Sequence, residues 1–468
     1  MSEVLDNAVA SWPEVFVSDV SELIRGVTYS KEHATDKPQD GYTPVLRATN
    51  IQESRLVLES DLVFVPDSNV SANQRLRAGD IVVATSSGSK HLVGKSGLVH
   101  SDWRGSFGAF CAAIRPKANI ESRYLAAFLQ SPSYWKQVGK KALGVNINNL
   151  RRGDIESLTL PLAPLEKQRE IVAELEKQFS RLDEAVANLQ RVKANLKRYK
   201  ASVLKAAVEG RLVETEATLA RREGRTYETG EQLLQRILEE RRTKWTGKGK
   251  YKEPEATNVS DLGELPEGWT WASAVQACEQ VVDCHNKTAP YISTGIPLIR
   301  TTNIKDGRLL LDDTRYVDQP TYEFWSRRCP PESGDVLFTR EAPMGEAGII
   351  PPGVKLCLGQ RTMLMRPSPA ISSTFLLSAL LSPVVKDLID RVAVGSGVKH
   401  LRVGDVERLP VPLPPTAEQV RIVAEVDRHL SIVREVEAEV DTNLKRAQAL
   451  RQATLAKAFC IQSAQPEH

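Results

Sequence analysis

From Leu165 to Glu209 the chain contains neither proline nor glycine, and so long a stretch without a breaker leaves little choice but helix. Leu175, Phe179, Leu182, Val186, Leu189, Val192, Leu196, Tyr199 and Val203 recur along it at spacings of three and four, which is the apolar seam of a coiled coil rather than the alternation of a strand. Alone, such a stretch reads as an amphipathic core helix. It occurs twice. Lys167-Gln168-Arg169-Glu170-Ile171-Val172-Ala173-Glu174 returns as Glu418-Gln419-Val420-Arg421-Ile422-Val423-Ala424-Glu425, and the second copy, opening at Thr416, continues through Val426, Leu430, Val433, Val440, Leu444, Leu450 and Leu455.

The repeat extends well beyond the helices, as register matching shows. Pro44-Val45-Leu46-Arg47-Ala48-Thr49-Asn50-Ile51 returns as Pro297-Leu298-Ile299-Arg300-Thr301-Thr302-Asn303-Ile304, an offset of 253 from Arg47 to Arg300. Gly79-Asp80 returns as Gly334-Asp335 at an offset of 255, and from Gly94 to Gly345 onward the offset settles at 251. Gly97, Gly108, Arg115-Pro116, Ser131-Pro132, Gly144, Gly153-Asp154 and Pro161 all reappear at that offset. The expected class is α+β: two repeated mixed domains, each followed by a long helix, with the two helices forming an antiparallel coiled coil. The boundaries read as a globular domain over 1–163, a helix over 164–210 and a linker over 211–264; a second domain over 265–414, a helix over 415–460 and a tail over 461–468 complete the chain. The linker has no repeat counterpart and predicts a short helix capped by Thr229, with Leu233, Leu234, Ile237 and Leu238 on one face. Two such halves predict a caliper that presents two different surfaces, and an approximate two-fold suits a duplex read at two half-sites. Binding two copies of a protein ligand is the competing use of the same duplication.

A chain of 468 residues exceeds what one core usually organises. Its 62 Lys+Arg against 59 Asp+Glu give a net charge of +3, which permits a polyanionic partner without requiring one. The six cysteines form no Cys-x-x-Cys pair, the start Met-Ser-Glu-Val-Leu-Asp has no basic or apolar leader character, and no apolar run is long enough for a membrane span. The expectation is a reduced, cytoplasmic protein. Catalytic signatures are missing: there is no Asn/Asp-Pro-Pro-Tyr/Phe, and no Gly-x-Gly-x-x-Gly follows a strand. Gly88-Ser89-Lys90-His91-Leu92-Val93-Gly94-Lys95-Ser96 has five residues between its glycines where a phosphate loop needs four. Its counterpart Gly345-Glu346-Ala347-Gly348 also lacks the Lys-Ser pair. Cys278 and Cys284-His285 lack a fourth zinc ligand nearby.

Several phrases resemble the specificity subunit of type I restriction-modification enzymes. They are Arg-x-Thr-Asn-Ile after Pro, the Gly-Asp-Ile/Val strand, Pro-Leu-Ala-Pro-Leu-Glu-Lys-Gln-Arg-Glu-Ile-Val at 161–172 and Pro-Leu-Pro-Pro-Thr-Ala-Glu-Gln-Val-Arg-Ile-Val at 412–423. The linker from Leu212-Val213-Glu214-Thr215-Glu216 to Leu265-Pro266-Glu267-Gly268-Trp269 resembles that family too, so the likeness covers nearly the whole chain. It implies two target-recognition domains, each reading half of a split double-stranded DNA sequence, and long helices that dock two methyltransferase subunits and, through them, two restriction subunits. It implies a non-catalytic chain, with S-adenosylmethionine, ATP and Mg expected on the partners and no cofactor or metal here. The alternative of another class is a coiled-coil protein-interaction scaffold without DNA recognition.

The repeat also sorts candidate DNA contacts, because what both halves share cannot distinguish two different half-sites. Arg47, Asn50, Arg300 and Asn303 are shared, which suits phosphate contacts or a turn fixed by the Asn side chain. The offset falls from 255 to 251 between Gly79 and Gly94, so the first half carries extra residues across Thr85–Val93, where Ser86, Ser87, Lys90 and His91 cluster. The matching segment offers Arg340 and Glu341, with Arg340 expected to read a base edge. A second candidate turn carries Asn146, Asn148 and Arg151 in the first half, against Lys399, His400 and Arg402 in the second.

Overall fold

The computed structural model describes residues 12–87, 92–141, 148–247, 249–260 and 262–459. Contacts divide the chain into two units that are not its two halves: one is the chain up to Arg191 together with everything from Val440, the other is Val192–Glu439. Each unit therefore joins a globular domain to the beginning or end of both long helices, Leu165–Val208 and Thr416–Ala458.

In the first unit a four-stranded antiparallel sheet runs in the order Ser21–Arg25, Cys111–Pro116, Ile81–Ala84, Ser96–Leu98. Beside it stand three strands, Ser106–Phe107, Tyr42–Leu46 and Val63–Pro66, and the pair Glu14–Phe16 with Thr159–Pro161. Ile81-Val82-Val83-Ala84 is apolar throughout because both faces of its strand are covered. Ile81 and Val83 enter one cluster with Ile114, Tyr124, Phe128 and Leu160, while Val82 and Ala84 face Leu46, Phe107 and Val99. The shared Gly-Asp and Arg-Pro motifs meet across the sheet: Arg115 clasps the buried Asp80 carboxylate with Nε and Nη2, both at 2.8 Å. The second unit repeats that clasp between Arg366 and Asp335, also at 2.8 Å.

The second unit has the same strand order in its own residues, Cys278–Asp283, Thr362–Pro367, Val336–Thr339, Ala347–Ile349, with the triplet Arg315–Val317, Ile296–Ile299, Cys357–Leu358 and the pair Thr270–Ser273 with Pro410–Leu413. The expected linker helix is Gly230–Thr243. Thr229 caps it with a reciprocal bond pair to Gln232, and Leu233 and Ile237 are buried in the unit's core.

Within each unit the helices run antiparallel. In the first, Ile171, Val172 and Leu175 share a core with Leu455, Ala458 and Phe459, and Asp183 receives Arg451 at 2.7 Å. In the second, Val203 and Ala207 pack with Ile422 and Val426, and Tyr199 Oη meets His429 Nδ1 at 2.7 Å. Leu175, Val426, Val433 and Val440 are buried, and Phe179, Leu182, Val186, Leu189, Leu196 and Leu430 are half-buried, as an apolar seam requires. Leu450 departs from the expectation, being 55% exposed. Ten residues beyond Val440 at about 100° each, it has rotated off the seam, which instead passes through Ala447 to Leu455. Val192 and Tyr199 also lean outward.

Candidate nucleic-acid interface

The two candidate loops, distant in sequence, lie side by side in each unit. In the first, Ser86–Ser87 pairs antiparallel with Asn148–Asn149, and Leu150 N–H donates to the Thr85 carbonyl at 2.8 Å. In the second, Glu341 faces His400 in an isolated antiparallel bridge, and Leu401 N–H donates to the Arg340 carbonyl at 3.0 Å. Lys90, His91 and Asn146 lie outside the described residues, and only the backbone of Asn148 is described. Ser86 and Ser87 are half-buried.

The shared asparagines hold turns. Asn50, buried, accepts from Arg47 N–H at 2.8 Å and donates to the Val57 and Ser60 carbonyls; Asn303 does the same with Arg300 N–H, Leu310 and Asp313. Of the two roles left open, the turn-fixing one accounts for both residues. The arginines beside them differ. Arg47 is ion-paired with Asp61, whose counterpart is Thr314, and Arg300 has no ion pair among the described residues. The buried Arg300 Nε likewise has no hydrogen-bond partner there.

Arg340, expected to read a base edge, is engaged within the protein. Its guanidinium is 3.0 Å from Asp283 and donates to the Leu401 carbonyl at 3.0 Å, which ties the loop to the neighbouring strand and the facing turn. Glu341 is similarly engaged by Arg361. Of the remaining candidates, Arg151, Lys399 and Arg402 are exposed. The two arginines use their backbone N–H to cap short helices through Asp154 and Asp405, and none of the three has an ion-pair partner among the described residues.

Sequence reasoning missed Arg25. It lines a cavity of about 430 Å³ with Thr85, Ala109, Asn149, Arg151 and Arg152, and it pairs in the sheet with Ala112. In the second unit Met363, the counterpart of Ala112, pairs with Asp283. The positions of Arg25 and Thr85 in one unit are thus those of Asp283 and Arg340 in the other, so the second unit closes an ion pair where Arg25 of the first has no ion-pair partner among the described residues. The signal was present in the repeat, as a difference in side-chain identity between the paired strands. A larger cavity of about 740 Å³, lined by Leu56, Arg123, Phe179 and Arg451 among others, shares no residue with these loops.

Near Asp283 the second unit also exposes cations against rings. Arg328 donates to the Asp283 carbonyl at 2.5 Å, Arg327 stacks over the half-exposed Phe324 at 4.1 Å, and His285 lies 4.6 Å from Trp325. Burial, then Arg327 and Lys287, hold the His285 imidazole below its ordinary pKa. Burial pushes the Cys278 thiol up to about 12 and raises that of Cys284. Among the described residues no three His, Cys, Asp or Glu side chains gather as metal ligands, and no helix is long and apolar enough to cross a membrane.

A family described as "Type I restriction modification DNA specificity domain" matches residues 10–197 and 285–445. Over 459 residues the chain is 30% identical to the type I restriction enzyme EcoKI specificity subunit of Escherichia coli (strain K12), covering 96% of this chain and 88% of that one. It is 28% identical over 463 residues to the StySPI specificity subunit of Salmonella potsdam, again with 96% and 88% covered. A solved structure from "Structural basis underlying complex assembly and conformational transition of the type I R-M system" shares the fold, with a TM-score of 0.61 at 20% identity over 97% of this chain and 98% of that one.

Proposed function

The chain belongs to the type I restriction-modification DNA specificity family, and from that premise we propose that it is the DNA-reading subunit of a type I complex, each globular unit reading one half of a split duplex sequence. The carrying observation is that each unit places the same two loops side by side on the same backbone scaffold, with different side chains on them. Shared geometry fits a shared groove, and different side chains fit different half-sites. Arg25, Arg151, Lys399 and Arg402 supply cations for phosphate or base contact. Methylation and ATP-driven cleavage belong to partner chains, two methyltransferase and two restriction subunits in this reading; S-adenosylmethionine, ATP and Mg²⁺ would be held there. The long helices, charged on their outward faces, suit docking of those partners.

The test is to assemble the chain with its methyltransferase partner, map the methylated sequence and titrate binding with salt. Two short specified blocks separated by an unread gap are expected, with affinity falling steeply as salt rises. Assembly with the methyltransferase but binding that ignores sequence and salt would instead favour a protein scaffold.

A further inference from the structure

The turn after Gly108 in the first unit and the turn after Gly359 in the second occupy equivalent places and carry different side chains at the apex. In the first unit Gly108 N–H donates to the Leu46 carbonyl at 2.8 Å, and Cys111 N–H closes the turn onto the Gly108 carbonyl at 2.8 Å. The Phe110 carbonyl accepts from Thr85 N–H at 2.8 Å and Ser86 N–H at 3.3 Å, so the apex is fastened to the candidate reading loop. In the second unit Gly359 N–H donates to the Ile299 carbonyl at 2.7 Å, Thr362 Oγ1 closes onto the Gly359 carbonyl at 2.7 Å, and the Arg361 carbonyl accepts from Arg340 N–H at 2.9 Å. In the second unit the close approach requires glycine, since a Cβ on Gly359 would come within 2.7 Å of the Ile299 carbonyl oxygen, whereas at Gly108 a Cβ would stay 3.5 Å from the Leu46 carbonyl oxygen.

On this fixed support stand Phe110, 69% exposed, and Arg361, whose side chain is 56% exposed. A single exposed apolar residue needs no explanation in general. A phenylalanine at the tip of a turn tied to a reading loop, replaced by an equally outward arginine at the equivalent place, is another matter. Arg361 holds a φ of +65°, a conformation L side chains rarely adopt, and its guanidinium reaches back to Glu341 on the neighbouring loop. Neither side chain serves the core, and the two differ in the chemistry by which bases are told apart.

We propose that the apex side chain is a specificity-determining residue in each half, Phe110 by apolar contact with a thymine methyl in one half-site and Arg361 by donation to guanine in the other. This rests on the DNA-reading function proposed above. Phenylalanine has no donor or acceptor, and the thymine C5-methyl is the apolar feature of the major-groove edge; arginine matches the paired acceptors of guanine.

The experiment uses the chain assembled with its methyltransferase partner and profiles methylated sites from a library randomised through both half-sites. Phe110→Ala is expected to flatten base preference by about tenfold at one or two adjacent pairs of one half-site, leaving the other half-site, the assembly and the melting temperature unchanged. Phe110→Leu is expected to retain most of that preference. Deoxyuridine in place of thymine at the affected position should weaken the unsubstituted protein and not Phe110→Ala. Arg361→Ala is expected to flatten preference only in the other half-site. An unaltered profile in both alanine variants, or equal weakening against every DNA, would overturn the proposal. So would indifference to deoxyuridine. Absence of any split-sequence preference in the unsubstituted protein would instead overturn the reading on which the proposal rests.

Discussion

Arg340 and Asp283 form an ion pair at 3.0 Å, with less than a fifth of either side chain exposed, where the first unit has Thr85 and Arg25. Removing one partner of such a pair leaves the other partly desolvated and unmatched, which costs more than the pair contributes when intact. Arg340→Ala is therefore expected to destabilise the second unit by about 1–3 kcal/mol while leaving base preference intact at temperatures where the unit is folded. Denaturant unfolding and methylated-site profiling of the same variant check both parts.

In the first unit Arg25 and Arg151 line one cavity, and neither has an ion-pair partner among the described residues. Each is expected to behave as a phosphate contact. Arg25→Ala and Arg151→Ala should each weaken binding to all sequences alike and lower the slope of log affinity against log salt by about one. A selective loss at one base pair would reassign that arginine to base reading.

The end of the second long helix belongs to the first unit through Phe459, whose ring lies 5.1 Å from Tyr124 and 5.7 Å from Phe128. Phe459→Ala should cost about 3–5 kcal/mol and, in hydrogen exchange, expose amides of the strands around Ile81 and Ile114 while sparing those around Val336 and Met365.

The linker gives a pH-dependent prediction. Burial pushes the Glu216 carboxyl up, but hydrogen bonds and charge from Arg421 and Arg225, at 2.7 and 2.6 Å, outweigh it and hold Glu216 below its ordinary value. A carboxylate depressed in the folded state stabilises it above the unfolded pKa, and that stability is lost as pH falls through the folded one. Neighbouring Glu418 is raised by burial and takes its proton first, which leaves both arginines on Glu216. Exchange protection of the helix Glu216–Glu223 is expected to survive the ordinary carboxylate range and to fail only below it. In Glu216→Gln it should be weaker at neutral pH and flatter through the acid limb.

The long helices and repeated domains were legible because their signals are periodic and duplicated, and because Gly-Asp and Arg-Pro recur for one reason, the buried clasp of Asp80 by Arg115 and Asp335 by Arg366. The two loops were legible as differences between otherwise matching halves, and the fold brings them together. The ion pair of Arg340 was not legible because its partner Asp283 lies on a strand far earlier in the chain, and only sheet pairing places them in contact. Leu450 satisfied the apolar spacing by composition but not by rotation, a drift that accumulates over several turns. Phe110 and Arg25 lie outside the two segments singled out by their differences, and only the turn and strand pairing of the fold bring them beside those loops.

The central claim, that each globular unit reads one half of the target, is tested most directly by replacing 12–161 with the corresponding domain of a relative and sequencing the methylated sites made with the partner methyltransferase. The account predicts a new sequence in one half-site, with the other unchanged. A change in both half-sites, or in neither from a fully active assembly, would contradict it.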